Sequence, residues 1–464
     1  MTRTFQTISP VDGSVVAERA FADSSQIERA LSRSTEAFQD WKRTPLEQRQ
    51  ALVQRFFELA VRDVDAIAQE LTMQIGRPIR DGAGEARGWL ERGHKMLELS
   101  RDALADTAPS PREGFTRFIR REPLGTVLTL APWNYPWLTT VNSLVPALLA
   151  GNTVLLKHSE QTPLVAERML AAAVEAGVPD AVFQVLHLSH EQVAQIIGDR
   201  RVAFVAFTGS VEGGHAVQAA LAERFAGASL ELGGKDGAYV CSDADVDACA
   251  AALSEGAFYN AGQSCCGIER IYVQREVFAP FIDAFAAATQ QLVLGDPREP
   301  QTTLGPVVRK RNAQAILAQL EQAVAAGARP IIDPKHFPEA GRGAPYLQPQ
   351  ALVDVDHDMT VMREETFGPV VGIMPVSGDE EADRLMNDSR YGLTASVWTA
   401  DLERALRLGE QVDVGTWFMN RCDYLDPELA WVGVKDSGRG CSLSALGFAQ
   451  LSRPKSFHLR QTLG

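Results

Sequence analysis

The segment from Gly125 to Leu232 constrains the fold most, because short apolar stretches alternate there with longer amphipathic ones. The apolar stretches predict five strands: Val127–Ala131, Thr153–Lys157, Val182–Leu186, Val202–Phe207 and Ser229–Leu232. The stretches between them predict helices, among them Leu138–Ala150 and Leu164–Ala176. Strands that alternate with helices pair in parallel through right-handed crossovers. The segment therefore predicts a doubly wound α/β sheet.

A second α/β series is expected after Gly233, with strands at Ala238–Cys241 and Arg270–Val273 and a helix at Val246–Phe258 between them. Helical patterns at 25–40, 47–74 and 84–105 precede the first series, and Ser24 or Ser25 is the expected cap of the first helix. With 464 residues the chain is too long for one ordinary core, since domains run to about 100–200 residues. We therefore expect at least two α/β domains.

Two segments fit neither series. Thr116–Glu122 and Ser456–Arg460 both alternate apolar and polar residues in the manner of strands. They are expected to pair with each other as a small sheet outside the main domains.

Charge and composition exclude several classes of protein. The chain has 45 lysines and arginines against 59 aspartates and glutamates, a net charge of −14, which disfavours binding to nucleic acids or anionic membranes. No stretch approaches the roughly 18 apolar residues of a membrane helix, and the polar N-terminus lacks the pattern of a signal peptide. Six scattered cysteines fit neither a disulfide framework nor a metal site. We expect a cytoplasmic protein without a bound metal.

Two places could hold a nucleotide, although the usual glycine-rich fingerprint is absent. Gly82, Gly84 and Gly88 approach that pattern, but no strand precedes them, and we interpret them as a loop. The turn at Gly209 and Ser210 instead joins a strand to a helix, whose N-terminal N–H groups could bind a phosphate. Lys157 and Glu160 follow another strand and could both reach a ribose. Each place could also be a simple turn.

A cysteine, a carboxylate and an amide could form a reactive site. The segment Asn260–Cys266 surrounds Cys265 and Cys266 with glycine, asparagine and glutamine, and either thiol could be a nucleophile or merely a small buried side chain. Glu231 ends a predicted strand at the junction of the two series and could be a general base. Asn134 follows another strand of that sheet, and its amide could stabilise an oxyanion. Together these groups indicate acyl transfer.

The motifs around these residues occur in a fixed order: Pro132-Trp133-Asn134, Lys157-x-x-Glu160, Phe207-Thr208-Gly209-Ser210, Glu231–Lys235, Gly262-Gln263-Ser264-Cys265, Glu364–Pro369 and Gly433-x-Lys435-x-Ser437-Gly438. This series resembles that of the NAD(P)-dependent aldehyde dehydrogenase superfamily over nearly the whole chain. The resemblance implies a Rossmann-type NAD-binding domain (1–112 and 125–232), an α/β catalytic domain (233–434) and oligomerisation strands (113–124 and 450–464). It also implies a homodimer or homotetramer.

The resemblance implies a role for each matching residue. Cys265 is the expected nucleophile, Glu231 the base that activates water, and Asn134, with the backbone N–H of Cys265, the oxyanion donor. The expected cofactor contacts are Trp133, Lys157, Glu160, Gly209, Ser210, Gly214, Leu232, Glu365 and Phe367. His158, Gly237 and the Trp431–Gly433 segment depart from the commoner pattern, and the last of these alters the expected wall of the substrate funnel.

The implied reaction is oxidation of an aldehyde to the acid through a thiohemiacetal and a thioester on Cys265. Glu160 would repel a 2′-phosphate, so NAD is expected over NADP, with NADP still possible. A coenzyme-A-acylating enzyme could dispense with Glu231, and a non-catalytic relative would be expected to lose Cys265. A thiol hydrolase would need a cysteine–histidine pair, for which no motif is apparent. All three are therefore less favoured.

The substrate depends on the residues near the catalytic segments. Six aromatic side chains flank the catalytic segments and are expected to line a funnel: Tyr135, Trp137, Phe258, Tyr259, Tyr424 and Trp431. They favour aromatic or medium-chain aliphatic aldehydes. Arg421 lies in the same region beside Asp423, and an unpaired arginine could bind the carboxylate of a semialdehyde such as succinate semialdehyde. Aromatic faces could also hold the quaternary ammonium of betaine aldehyde.

Overall fold

A computed structural model describes residues 3–461 of the chain. The N-terminal region holds a two-stranded sheet and four helices: β1 (Thr4–Ile8), β2 (Val15–Ala20), α1 (Ser24–Trp41), α2 (Leu46–Ala60), α3 (Val64–Ile75) and α4 (Ile79–Ala103). Asp23, not a serine, caps α1 by accepting the N–H of Gln26. The helix expected over 47–74 is two helices, because Asp63 caps a new one. None of the helices within residues 3–461 is both long enough and apolar enough to cross a membrane.

The glycines predicted to form a loop lie inside the 25-residue helix α4, so that prediction is wrong. A Cβ on Gly82 would lie 2.6 Å from the Cα of Ala68 in α3, and a Cβ on Gly93 would lie 2.6 Å from the Phe57 ring in α2. Glycine in a helix interior costs about 1 kcal/mol. Close packing against α2 and α3 offsets that cost, and the local glycine pattern cannot show such packing.

The next region contains the first α/β series: β3 (Phe115–Pro123), β4 (Thr126–Leu130), α5 (Leu138–Ala150), β5 (Thr153–Lys157), α6 (Pro163–Ala176), β6 (Phe183–Val185), α7 (His190–Gly198), β7 (Val202–Thr208), α8 (Val211–Leu221) and β8 (Gly227–Glu231). Five parallel strands form a sheet in the order β8-β7-β4-β5-β6. The predicted doubly wound sheet is confirmed. Its strand order reverses between β4 and β7, which opens a crevice at their carboxyl ends.

The remaining elements are β9 (Asp236–Val240), α9 (Val246–Phe258), β10 (Ile268–Gln274), α10 (Arg275–Thr289), α11 (Lys310–Ala325), β11 (Arg329–Pro330), β12 (Gln350–Val353), α12 (Thr360–Arg363), β13 (Val370–Val376), α13 (Asp379–Asn387), β14 (Tyr391–Gly392), β15 (Thr394–Trp398), α14 (Leu402–Gly409), β16 (Thr416–Met419), β17 (Val434–Lys435), β18 (Gly438–Arg439), α15 (Gly447–Gln450) and β19 (Ser452–Arg460). Seven strands form a second sheet in the order β11-β12-β13-β10-β9-β15-β16. Strand β18 returns to the first sheet beside β8.

The two outlying segments pair as expected. β3 and β19 form an antiparallel ribbon whose register runs from Phe115 opposite Arg460 to Pro123 opposite Ser452. Phe118 and Phe457 stack across it, with ring centroids 4.4 Å apart. Strand β19 begins four residues before the predicted segment. The expected division into domains and the use of this ribbon in oligomerisation stay predictions.

Candidate active site

A cavity of about 570 Å³ is lined by residues from both α/β units, and it contains Cys265 and Glu231 in its wall. Cys265 lies in the connection between α9 and β10, which begins with a short 3₁₀ turn over Tyr259–Gly262. Asn260, Ala261 and Gly262 all have positive φ angles, so the chain turns sharply before the cysteine. A Cβ on Gly262 would lie 2.2 Å from the carbonyl oxygen of Gly368, so this position accepts only glycine.

The two adjacent thiols have different surroundings. Cys265 is partly exposed to the cavity, whereas Cys266 is buried. The Cys266 thiol donates a hydrogen bond to Oδ1 of Asp423 at 2.9 Å, and the Ser264 hydroxyl donates to the same oxygen at 3.0 Å. Contact with the Cys265 thiol and burial raise the pKa of Cys266 well above its ordinary value. Cys266 is therefore held as a neutral thiol, which is a poor nucleophile.

Glu231 ends strand β8 with its carboxylate enclosed by hydrogen-bond donors. The Asn142 amide donates at 3.2 Å and the Thr208 hydroxyl at 3.0 Å, and the Ser442 hydroxyl donates a further bond. Burial raises the pKa of Glu231 above the usual range, and these hydrogen bonds oppose that rise. The carboxylate is thus both fixed in direction and more basic than an exposed glutamate.

Asn134 is buried beside the cysteine loop, although it does not line the cavity itself. One N–H of its amide donates to the carbonyl of Gln263 at 3.2 Å, two residues before Cys265. The backbone carbonyl of Asn134 accepts a hydrogen bond from the guanidinium of Arg77 at 2.7 Å, and Arg77 forms a fully buried ion pair with Glu85. The structure therefore places the predicted amide donor next to the predicted nucleophile, supported by an ion pair that local sequence patterns do not show.

The predicted phosphate and ribose contacts lie at the carboxyl ends of β5 and β7. The Ser210 hydroxyl caps α8 by accepting the Gly213 N–H at 3.1 Å. A Cβ on Gly214 would lie 2.8 Å from the Leu232 side chain, so α8 packs closely on the end of β8. Lys157 is buried, and within residues 3–461 no carboxylate lies at ion-pair distance from it. A buried ammonium without an anionic partner fits a bound ribose hydroxyl.

Glu160 is only partly buried, and its backbone carbonyl accepts a hydrogen bond from the hydroxyl of Thr7 at 2.6 Å. At the adjacent strand end, a Cβ on Gly209 would lie 2.6 Å from the Phe207 ring. Both positions are thus close to the crevice between β4 and β7, where the sheet order reverses.

The other predicted cofactor residues meet on the loop between α12 and β13. The Glu365 carboxylate accepts the backbone N–H of Gly234 at 3.1 Å. Burial, with a smaller effect from Glu269, raises the pKa of Glu365 to about 8. Phe367 packs edge-on against Trp133 with ring centroids 5.6 Å apart. These side chains come from segments more than 200 residues apart in sequence, and the fold brings them together.

Most of the residues expected in the substrate wall lie around the cavity, Tyr424 among them, whereas Trp137 and Phe258 are buried away from it. Tyr135, Tyr259, Arg421 and Trp431 line the cavity. Trp137 does not: it is fully buried and packs edge-on against Trp89, with ring centroids 5.4 Å apart. Trp137 stands at the start of α5, where the helix turns its side chain into the core below the cavity wall.

Among the arginines that line the cavity are Arg421, whose pairing the sequence left open, and Arg92, which the sequence did not indicate. The Arg421 guanidinium lies 3.5 Å from the centre of the Tyr424 ring and does not pair with Asp423, which binds the cysteine loop instead. Arg92 of α4 also lines the cavity and donates only a long bond, 3.4 Å, to the Leu138 carbonyl. Throughout residues 3–461, no carboxylate lies within ion-pair distance of either arginine. The described residues also contain no cluster of three metal-ligating side chains.

Comparison with known proteins identifies the family. The model of the aldehyde dehydrogenase family matches residues 1–457. The chain is 32% identical over 460 residues to a succinate-semialdehyde dehydrogenase (NADP(+)) of Deinococcus radiodurans, covering 98% of this chain and 94% of that one. It is 32% identical over 448 residues to the succinate semialdehyde dehydrogenase (NAD(P)+) Sad of Escherichia coli, covering 95% of each.

A solved structure gives the same result at the level of the fold. The NAD-dependent aldehyde dehydrogenase from Sinorhizobium meliloti superposes with a TM-score of 0.95 at 29% identity, covering 99% of this chain and 92% of that one. The family model, the two relatives and this structure each match nearly the whole chain. The chain therefore belongs to the aldehyde dehydrogenase family and is an NAD(P)-dependent oxidoreductase that acts on aldehydes.

Proposed function

We propose that the protein oxidises a semialdehyde, an aldehyde that carries a carboxylate at its other end, to the dicarboxylic acid. The observation that carries this proposal is the pair Arg92 and Arg421, two cations in the cavity wall without a carboxylate partner among residues 3–461. The names of the two curated relatives, both succinate-semialdehyde dehydrogenases, support it. It replaces the preference for apolar aldehydes, which rested on aromatic residues that include the buried Trp137.

The first step is attack by the Cys265 thiolate on the aldehyde carbon, which forms a thiohemiacetal oxyanion. A free thiol is only a few per cent ionised at neutral pH. Asn134 and the backbone N–H of Cys265 would stabilise the oxyanion. One N–H of the Asn134 amide is bound to Gln263, which leaves the second free to donate to the oxyanion.

Collapse of the oxyanion then breaks the carbon–hydrogen bond and leaves an acyl thioester on Cys265. Bound NAD(P) supplies the hydride acceptor for this step. Lys157 and Glu160 would hold its adenosine ribose, and Ser210 at the start of α8 its pyrophosphate. Glu365 would hold the ribose at the other end, where Phe367 packs against Trp133.

In the last step, Glu231 removes a proton from water, which attacks the thioester and releases the acid. The three donors around its carboxylate, Asn142, Thr208 and Ser442, keep it aimed into the cavity. Because the base acts in its ionised form, we expect hydrolysis of the thioester to accelerate as the pH rises through the raised pKa of Glu231.

Recognition of the distal carboxylate would fall to the two arginines, which come from different walls: Arg92 from α4 and Arg421 from the segment after β16. A guanidinium binds a carboxylate through two parallel hydrogen bonds. Glu91 and Glu255 also line the cavity, but both are exposed, and solvent screens their charge.

The test is a panel of succinate semialdehyde, hexanal, benzaldehyde and betaine aldehyde. Each is assayed with NAD by the absorbance of NADH, and with NADP by the absorbance of NADPH. We expect kcat/KM for succinate semialdehyde to exceed that for hexanal by tenfold or more. Arg92→Ala and Arg421→Ala should each lower kcat/KM for succinate semialdehyde about tenfold, which corresponds to roughly 1.4 kcal/mol, mainly by raising KM. Because Glu160 would repel the 2′-phosphate of NADP, we expect a higher kcat/KM with NAD than with NADP.

Hexanal is the internal control, because the arginine variants should oxidise it within threefold of the wild-type rate. If succinate semialdehyde is no better than hexanal, or keeps its advantage in both arginine variants, the proposed substrate class is wrong. Adding coenzyme A to the same assays separates hydrolysis from acyl transfer to a thiol.

We also propose a homodimer, or a tetramer built from two dimers, assembled through the β3–β19 ribbon. An isolated two-stranded ribbon is marginal in water, and its exposed edge invites pairing. Ile119 and Leu459 are 38% and 50% exposed on it. Sedimentation at micromolar concentration should give at least twice 50.5 kDa, and Leu459→Asp should lower that mass. A wild-type monomer would contradict this proposal.

The cytoplasmic location remains a proposal as well.

A further inference from the structure

The loop between α12 and β13 carries Glu365 and Phe367, and it has no regular secondary structure to satisfy its backbone. Phe367 has a φ of 49°, in the left-handed region that costs a residue with a side chain about 1 kcal/mol or more. A backbone of this kind keeps one conformation only where its surroundings fix it. The groups that fix this loop therefore set where its two cofactor residues stand.

One buried carboxylate fixes the loop. Glu269 accepts the backbone N–H of Thr366 at 2.8 Å with one oxygen and that of Phe367 at 2.8 Å with the other. It also forms an ion pair with the ammonium of Lys235. Glu269 is 4% exposed and Lys235 is 1% exposed, so the pair is shielded from water.

Lys235 binds the same loop directly. Its ammonium donates to the Thr366 hydroxyl at 3.1 Å, and that hydroxyl donates to the Gln319 side chain at 2.6 Å. Each member of the network is therefore hydrogen-bonded. A buried ion pair rarely adds stability over apolar side chains of the same size, because both charges must leave water. What the pair does for the loop is therefore to fix its geometry.

The positions of the pair in the chain connect three parts of the site. Glu269 follows Cys265 by four residues at the start of β10, and Lys235 follows Glu231 by four residues just before β9. β9 and β10 are neighbours in the second sheet, with Ile268 opposite Asp236. The cofactor loop is thus tied to the segments that carry the nucleophile and the base.

We propose that Lys235 and Glu269 are positioning residues that hold the Glu365–Phe367 loop in its cofactor-binding conformation. The inference rests on the role proposed above for Glu365 and Phe367. Without Glu269, two partly buried backbone N–H groups lose their acceptor and Lys235 loses its counter-charge. The loop would then leave the conformation in which Phe367 packs against Trp133 and Glu365 meets Gly234.

The experiment measures the Kd for NAD by calorimetry without aldehyde, in wild type and in Glu269→Gln, Glu269→Ala and Lys235→Met. We expect the Kd to rise about tenfold or more in Glu269→Ala and at least threefold in Glu269→Gln, which keeps one acceptor oxygen but no charge. The deuterium isotope effect on the oxidation rate, measured with the 1-deutero aldehyde, should increase in both Glu269 variants, because hydride transfer becomes slower. The rate at which iodoacetamide alkylates Cys265 should stay within threefold of wild type.

Asp379→Asn is the matched control, since it removes a carboxylate that pairs with Arg404 in the same unit but contacts none of the cofactor residues. Its Kd for NAD should be unchanged. A Kd within threefold of wild type in folded Glu269→Gln would overturn the proposal, and so would an equal rise in the control. Glu365→Gln distinguishes the proposed role of Glu365 in binding NAD from the proposed role of Glu269 in positioning the loop. An unchanged Kd in Glu365→Gln, together with a raised Kd in Glu269→Gln, contradicts the role of Glu365 and leaves Phe367 as the group that is positioned.

Discussion

Cys265→Ala is expected to abolish oxidation of every aldehyde, with a loss in kcat of about 10⁴-fold or more, as for other enzymes that lose a covalent nucleophile. Cys265 is partly exposed in the cavity wall that also contains Glu231. Two other thiols line the same cavity, but the Cys266 thiol is bound to Asp423 and held neutral, and burial raises the pKa of Cys422 to about 12, so both are poor nucleophiles. The measurement is NADH formation at saturating substrate.

Cys266→Ala is the matched control, one residue away in the same loop. It removes a buried thiol and one hydrogen bond to Asp423 but leaves the bond from Ser264. We expect kcat to fall by less than about tenfold, in line with the modest worth of one hydrogen bond. An inactive Cys266→Ala beside an active Cys265→Ala would reverse the assignment of the nucleophile.

Glu231→Gln is expected to slow hydrolysis of the thioester by about 10²- to 10⁴-fold, the usual contribution of a general base. The amide keeps the shape of the side chain but cannot accept a proton from water. The thioester should therefore accumulate to one per active site, after a burst of NADH. Acid quenching and mass measurement of the intact chain detect it.

The pH profile gives a second readout of the same change. The wild-type steady-state rate should rise with pH as Glu231 loses its proton, over a range above that of an exposed carboxyl because burial raises its pKa. That rise should disappear in Glu231→Gln. Glu255→Gln, which alters an exposed carboxylate of the same cavity, is the control and should behave as wild type. Unchanged turnover in Glu231→Gln would exclude a water-activating role.

Two errors of the sequence-based prediction, at Gly82 and at Trp137, share one cause. The glycines near Gly82 suggested a loop because no strand precedes them, yet α4 continues through them against Ala68 of α3. Trp137 suggested a substrate contact because it follows Asn134, yet its side chain packs against Trp89. In both cases a partner distant in sequence outweighed the local tendency.

The sequence by itself determined the α/β class, the order of the strands, and the three groups expected to carry the chemistry, Cys265, Glu231 and Asn134. The elements follow from local periodicity, which the chain shows without knowledge of its contacts. The roles of the three groups, and the choice of Cys265 over Cys266, follow from the resemblance of the surrounding motifs to those of the family. The regular alternation of strand and helix then leaves few possible sheet topologies.

Only the tertiary structure decided which thiol is exposed and which charges are paired. Asp423 binds Cys266, which leaves Arg421 without an acidic partner among residues 3–461, and Arg92 joins it from a helix more than 300 residues away. The hydroxyl of Ser442 reaches Glu231 across 211 residues. Such pairings depend on distances in space between segments far apart in the chain, and no local pattern of residues records those distances.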